Sequence, residues 1–269
     1  MQFLVNNIKH LARVWVASAR ASVVREMEFR GNFIAGLLRQ ALWLGIFVFF
    51  INVIFQNTEQ LAGWDKREML IILSLSRIIE GLINLFFTQN IMELPEAVRD
   101  GQFDYYLTKP LPAQFATAFR RPSIDNIGNI VVGLLLFTYA LIQEPALFTL
   151  LNGGLLIFLA TLGIITYYSL LILIGSLVFK LERLEMLWGF NVLFSEPLTL
   201  PFDVFPRGPR LLLTYLVPLA LVVFFPAQAI TGRLLMWQIP VALGITAVFL
   251  LLANLAWRAG LRRYSSASS

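Results

Sequence analysis

Two charged residues, Arg77 and Glu80, stand three positions apart inside a long apolar stretch. An ionisable side chain at membrane depth is costly, so it marks a candidate functional site. The two can pair with each other across one helical turn and stabilise helix packing. Alternatively, they line a cavity that admits amphiphilic or cationic compounds. Asn84 falls on the same face of the helix, and we assign all three residues to a candidate transport pathway.

Other chemistry has few candidates in this chain. There is no Cys, and the single His excludes most histidine-based metal sites. Neither a phosphate-binding loop ending in Lys-Ser or Lys-Thr nor a Gly-x-Ser-x-Gly motif occurs. Asp100 and Asp104 suggest half of a magnesium-diphosphate site, but such a site needs two acidic clusters, and Asp100-Gly101 is a turn signal. We expect no catalytic residue, no metal and no cofactor bound by this chain.

The composition indicates whether these residues belong to a soluble protein or to a membrane protein. Hydrophobic residues make up 58% of the 269 residues, the mean hydropathy is +0.74 and only 14% are charged. Soluble domains have about 45–50% apolar residues. An integral membrane protein is therefore expected. The net charge of +5 is interpreted as Lys and Arg contacting anionic lipids, with no nucleic acid as partner.

The hydropathy pattern predicts one all-α transmembrane domain over residues 1–269. Residues 1–30 are predicted to form an interfacial helix, because Leu4, Ile8, Leu11 and Trp15 make one apolar stripe. Six membrane spans are predicted at 33–55, 68–90, 126–142, 151–179, 185–200 and 235–257. Most Lys and Arg residues then fall on the side that holds both termini, so both termini are expected to be cytoplasmic.

Six of the twelve prolines lie between residues 197 and 226. Proline removes a backbone donor and interrupts helices. Broken backbone at membrane depth requires surrounding protein or a water-filled cavity. We predict a broken re-entrant or external segment at 201–231, between spans five and six. Its candidate gate residues are Pro201, Pro206, Pro218 and Pro226.

A polar loop at 91–125 separates the second and third predicted spans and is expected to be cytoplasmic. Pro95 to Asp100 is predicted to form a short helix, which Asp100-Gly101 ends. Its aromatic residues are predicted to be exposed anchors for another protein. The candidate docking residues are Glu96, Arg99, Asp100, Phe103, Asp104, Tyr105, Tyr106 and Leu107. The loop is too patterned for a slack linker and too short for a catalytic domain.

The loop sequence carries a family resemblance. Residues 98–111 read Val-Arg-Asp-Gly-Gln-Phe-Asp-Tyr-Tyr-Leu-Thr-Lys-Pro-Leu. This resembles the hydrophobic-x-x-Gly-x-hydrophobic-Asp-x-x-Leu-x-Arg/Lys-Pro loop of ABC-2 type permeases, most closely the branch called ABC-2 family transporter protein. Lys109 stands where Arg is common. The six-span plan and the Pro-rich segment around Pro201 and Pro206 are similar to that family as well.

The resemblance implies a permease subunit of an ATP-binding-cassette exporter in a bacterial cytoplasmic (inner) membrane. It implies that a separate ATPase subunit, in two copies and carrying ATP and magnesium, docks on the short helix of the loop. That helix is called the coupling helix. It also implies a second permease, identical or different. Relatives export drugs, lipids or glycans, so multidrug export of a hydrophobic or amphiphilic cargo is expected. Two alternatives remain: a proton-coupled secondary carrier that uses Glu80, and a membrane-embedded lipid enzyme.

Overall fold

The computed structural model describes residues 15–24, 30–143, 145, 149–181, 189 and 193–264. Within these residues the fold is all-helical and contains no β-strand, which confirms the predicted fold class. Five helices are long and apolar enough to cross a membrane, and a sixth crossing is counted if one bent pair is taken as a span. The elements are α1 (Arg30–Asn57), α2 (Lys66–Arg99), α3 (Phe103–Leu107), α4 (Ala113–Ala118), α5 (Ile127–Gln143), α6 (Leu150–Gly175), α7 (Arg207–Leu216), α8 (Leu219–Ile230) and α9 (Gln238–Leu261).

Helix α2 is longer than the predicted second span. It begins with a capping box, in which the Asp65 carboxylate accepts from the Glu68 backbone and the Glu68 carboxylate accepts from the Asp65 backbone, both at 2.9 Å. It passes through a π-helical turn at Asn84–Thr88 and runs on to Arg99. The hydroxyl of Thr88 donates to the Ile83 carbonyl five residues earlier, which fits that wider turn.

Two predicted elements fall partly outside the described residues. Of the interfacial helix at 1–30, residues 15–24 and 30 are described and helical, and the Trp15 ring lies 5.4 Å from that of Phe86 in α2. Of the fifth span at 185–200, residues 185–188 and 190–192 are not described. The described remainder ends in a 3-10 turn at Glu196–Thr199. A helical span there stays a prediction.

Helices α2 and α5 approach closely through glycines. A Cβ atom on Gly133 of α5 would stand 3.0 Å from the Ser74 carbonyl oxygen and 2.8 Å from Ile78 Cγ1 of α2. A Cβ atom on Gly81 of α2 would stand 2.7 Å from Ile130 Cγ1. Small residues let membrane helices pack backbone to backbone, where dispersion contacts replace the hydrophobic effect. The predicted polar face of α2 therefore also carries its packing against α5.

The Pro-rich segment is broken, as predicted. Helices α7 and α8 are bent by 75° at the break. Before α7, Asp203 accepts a hydrogen bond from Trp64 Nε1 at 2.9 Å, and after α8, Arg233 pairs with Glu68. Both ends of the segment therefore lie beside the start of α2. We call this end of the bundle, which is away from the 91–125 loop, the opposite end. Two ends on one side of the bundle favour the predicted re-entrant segment over a single broken span.

The bend between α7 and α8 packs against the middle of α6. A Cβ atom on Gly163 would stand 2.4 Å from the Leu221 carbonyl oxygen and 2.7 Å from Val222 Cα. These are backbone atoms, which cannot move aside as a side-chain terminus does. Glycine at position 163 therefore allows the re-entrant bend to lie directly on α6.

Candidate functional site

The loop between α2 and α5 begins as the sequence predicts. The last helical segment of α2, Leu94–Arg99, follows a turn residue at Glu93. Pro95 stands in the first turn of this segment, where its missing N–H costs little. The Asp100 N–H donates to the Glu96 carbonyl at 2.9 Å, and Gly101 adopts a φ of +71°. Such a conformation favours glycine and ends the helix. The bundle end that carries this loop is called the loop end.

The prediction of exposed aromatics is wrong for two of its residues. Phe103 is 0% exposed and Tyr106 only 5%, so neither presents its ring to a partner. Tyr105 is 65% exposed and Leu107 is 42% exposed, as predicted. The short helix α3 has two faces, and the inward face packs on the membrane helices. The sequence pattern gave no indication of which aromatic faced inward.

Phe103 lies in a cluster that we call the aromatic socket: Phe179, Trp257 and Tyr264. Its ring centroid is 5.2 Å from that of Phe179, 6.3 Å from Trp257 and 5.0 Å from Tyr264. The Trp257 and Tyr264 contacts are edge-to-face, the arrangement that the aromatic quadrupole favours. The socket joins the loop to the ends of α6 and α9, and sequence analysis had assigned it no role.

A hydrogen bond accompanies these ring contacts. The Tyr264 hydroxyl donates to Asp104 Oδ1 at 2.9 Å. The desolvation of partial burial and this hydrogen bond to the carboxylate raise the pKa of Tyr264 to about 12. The phenol therefore keeps its proton at physiological pH and remains the donor. Asp104 was predicted to dock a partner, but its carboxylate is directed to the end of α9.

The far half of the loop is tied to α2 by charge and by an amide. Glu93 forms ion pairs with both Arg120 and Arg121. Asn90 Nδ2 donates to the Ala118 carbonyl at 3.0 Å and to the Arg121 carbonyl at 2.8 Å. The sequence analysis assigned no role to these three charged residues. The signal available was one acidic residue at the start of the 91–125 loop and an Arg-Arg pair near its end.

Five residues on the outward side of the loop are exposed, and we call them the docking face: Glu96, Arg99, Asp100, Tyr105 and Leu107. Arg99 Nε lies 3.2 Å from Asp100 Oδ1. Lys109 Nζ stands 4.6 Å from the centroid of the Tyr105 ring, a cation–π contact that holds the ring on the surface. A protruding aromatic and an aliphatic side chain among charges are typical of a protein interface.

The candidate pathway residues lie deeper along α2. Arg77 Nη1 is 3.5 Å from Glu80 Oε2, and the Arg77 guanidinium carbon is 5.3 Å from the Phe47 ring centroid of α1. About a fifth of each charged side chain remains exposed. Asn84 begins the π-helical turn and is half-buried. The Arg77–Glu80 distance supports the interpretation that these two residues pair with each other. Their role in a transport pathway stays a prediction.

The four prolines of the candidate gate occupy distinct positions in the re-entrant segment. Pro206 precedes α7, Pro218 stands at the bend and Pro226 lies in the first turn of the Phe224–Ile230 helix. Pro201 precedes the 3-10 turn that contains Asp203. Pro201, Pro218 and Pro226 are buried, and Pro206 is exposed. Their role as a gate stays a prediction.

A family model described as ABC-2 family transporter protein matches residues 41–268. That range includes the docking face, the socket, the pathway residues and the re-entrant segment. No curated protein and no solved structure matches the chain. The chain belongs to the ABC-2 family of transporter proteins, which confirms the resemblance in the loop sequence.

Proposed function

We propose that this ABC-2 family member is the permease subunit of an ATP-binding-cassette exporter, driven by a separate ATPase subunit that binds the docking face. The observation that carries the proposal is the two-sidedness of the loop. Tyr105 and Leu107 are exposed for a partner, while Phe103 is buried among membrane helices in the same two turns. A surface joined in this way to the bundle acts as a lever.

Motion of a bound ATPase can reach the membrane helices through three connections. The covalent route is α2, which runs from the predicted span through the π-helical turn and the turn residue Glu93 to Arg99. The Glu93 ion pairs return force from the end of the loop to α2. The socket carries force to α6 and α9. ATP and magnesium belong to the partner, and this chain supplies the surface that responds to their hydrolysis.

The proposed path for cargo runs along the face of α2 that holds Arg77, Glu80 and Asn84. Partly exposed charges at membrane depth require a polar environment, which a passage between subunits supplies. Glu80 favours a cationic group, and the Phe47 ring favours an apolar body. We therefore propose a hydrophobic or amphiphilic cargo, including cationic drug-like compounds.

The proposed assembly has two ATPase subunits and a second permease, identical or different. It lies in a bacterial cytoplasmic membrane with the loop end and both termini on the cytoplasmic side. The Tyr264–Asp104 bond supports the C-terminal part of this topology, because it joins the described end of the chain to the loop. The contact of Trp15 with Phe86, near the loop end of α2, supports the N-terminal part.

Affinity purification of the chain from membranes in mild detergent, followed by mass spectrometry, tests this function. We expect a stoichiometric partner with a phosphate-binding loop, and we expect export to stop when that partner is inactivated. A homo-oligomer without an ATPase contradicts the proposal. In that case proton-driven transport that Glu80→Gln abolishes would favour the secondary carrier, and lipid turnover by the isolated chain would favour the enzyme.

A further inference from the structure

We propose that the loop and the C-terminal end of α9 form one rigid body, joined at Phe103 and at the Asp104–Tyr264 hydrogen bond. A partner that presses on the docking face would then move the last membrane helix directly. The inference rests on the proposed function for the source of the force. It assigns Tyr264 and Trp257 as positioning residues, which act through the loop and touch neither cargo nor nucleotide.

The first support is the completeness of the Phe103 burial. The side chain is 0% exposed, and its ring meets three rings from two other segments, the ends of α6 and α9, at 5.0 to 6.3 Å. Protein interiors are close-packed and transmit displacement rather than absorb it. A shift of α3 along its axis would therefore displace Trp257 and Tyr264 or open a cavity.

The second support is a hydrogen bond between the same two segments. We call the contacts between α3 and the end of α9 the joint. Asp104 and Tyr264 are 160 positions apart and form a 2.9 Å hydrogen bond to a charged acceptor. Hydrogen bonds to charged groups are shorter and stronger than neutral ones. Ring contacts set the distance between α3 and α9, and the hydrogen bond is a second point of attachment that limits rotation of one against the other.

The third support is the close approach of α9 to α6 behind the socket. A Cβ atom on Gly260 would stand 2.6 Å from Phe179 Cδ2 and 3.1 Å from the Ser176 carbonyl oxygen. There is therefore no free space between α9 and the Phe179 wall of the socket. Although α9 is not adjacent to the loop in sequence, this joint puts the two in direct contact.

Limited trypsin digestion of the purified chain tests the joint without any ATPase. The exposed Arg99 supplies a cleavage site at the Arg99–Asp100 bond, whereas Lys109 is followed by Pro110 and is not cleaved. We expect Tyr264→Ala to raise the rate of cleavage after Arg99 about tenfold, which corresponds to losing about 1.4 kcal/mol of local stability. Tyr264→Phe should give a smaller increase, because it keeps the ring. Tyr139→Ala, which removes an exposed tyrosine of α5, is the control and should change nothing.

The rigid-body claim itself is tested in the complex with its ATPase. The chain has no natural cysteine, so Asp104→Cys with Tyr264→Cys gives one pair for a short bismaleimide. We expect ATP hydrolysis to fall several-fold in the untreated pair and to return to near the wild-type rate after cross-linking. Further inhibition by the cross-link, or cleavage rates that Tyr264→Ala leaves unchanged, would overturn the inference. If no ATPase co-purifies, the proposed function is contradicted. The trypsin digestion still tests whether the loop is joined to α9.

Discussion

Arg233 and Glu68, which are 165 positions apart, form a two-pronged ion pair at the opposite end of the bundle. Arg233 Nε donates to Glu68 Oε1 at 2.6 Å, and Nη2 donates to Oε2 at 2.7 Å. The guanidinium carbon also lies 4.7 Å from the Trp64 ring centroid. The Trp64 indole donates in turn to Asp203, which pairs with Arg210 at 3.0 Å. This network fastens both ends of the re-entrant segment to the start of α2.

Arg233→Ala should loosen the re-entrant segment. The free energy of unfolding is expected to fall by about 1–2 kcal/mol, since two charge-assisted hydrogen bonds are lost while partial exposure of Arg233 screens the pair. Thermal unfolding in detergent, followed by tryptophan fluorescence, measures the change. Arg207→Ala, at an exposed position of the same segment, is the control. Equal melting temperatures for the two variants would show that the pair contributes nothing.

Phe103→Ala should destabilise the protein rather than only weaken partner binding. Removing a fully buried aromatic ring costs about 3–5 kcal/mol. Tyr105→Ala removes a ring from the same short helix, but from its exposed face. We expect reduced membrane yield and a lower melting temperature for Phe103→Ala alone. Phe103→Ala with Tyr106→Ala should lower the melting temperature as well, because both rings are buried.

Gly163→Ala tests the contact of the re-entrant bend with α6. The added methyl group meets backbone atoms at 2.4 and 2.7 Å, and overpacking of this kind costs about 1–3 kcal/mol. Gly154→Ala is a matched control in the same helix, because its Cβ atom would meet nothing within 4 Å. Alanine is the better helix former, so the control should unfold at the same or a higher temperature. Similar melting temperatures in both variants would place the bend away from α6.

Exchanging the charges of Arg77 and Glu80 separates their two interpretations. Each single substitution, Arg77→Glu or Glu80→Arg, places two like charges one turn apart at membrane depth and should lower the yield of folded protein. The double substitution restores an opposite-charge pair and should restore the yield. If the residues only pair, export recovers as well. If they line the pathway, the double variant folds but transports cationic cargo poorly.

Much of the fold could be predicted because hydropathy and helix punctuation are local signals. Asp100-Gly101 ends α2 as predicted, and the prolines around Pro218 break the segment where expected. Which face of α3 is buried and which is exposed could not be predicted. Phe103 and Tyr105 differ by two positions in a five-residue helix, too short for periodicity to separate inside from outside.

The long-range contacts were equally beyond the sequence. Nothing local to Tyr264 or Asp104 indicates that they meet, because their contact depends on how α9 packs against α6. The same holds for Arg233 and Glu68, which lie 165 positions apart in the sequence. Such contacts arise from tertiary packing, whereas pattern analysis detects only neighbours along the chain.

The most direct test of the central claim uses Tyr105→Cys in this cysteine-free chain. A photo-activatable maleimide on that cysteine would be irradiated in native membranes, and the cross-linked partner identified by mass spectrometry. Tyr139→Cys and Tyr215→Cys, at exposed positions away from the docking face, serve as controls. The proposed function predicts an adduct with an ATPase that carries a phosphate-binding loop at position 105 alone. Adducts that lack an ATPase at position 105, or equal ATPase adducts at all three positions, would contradict it.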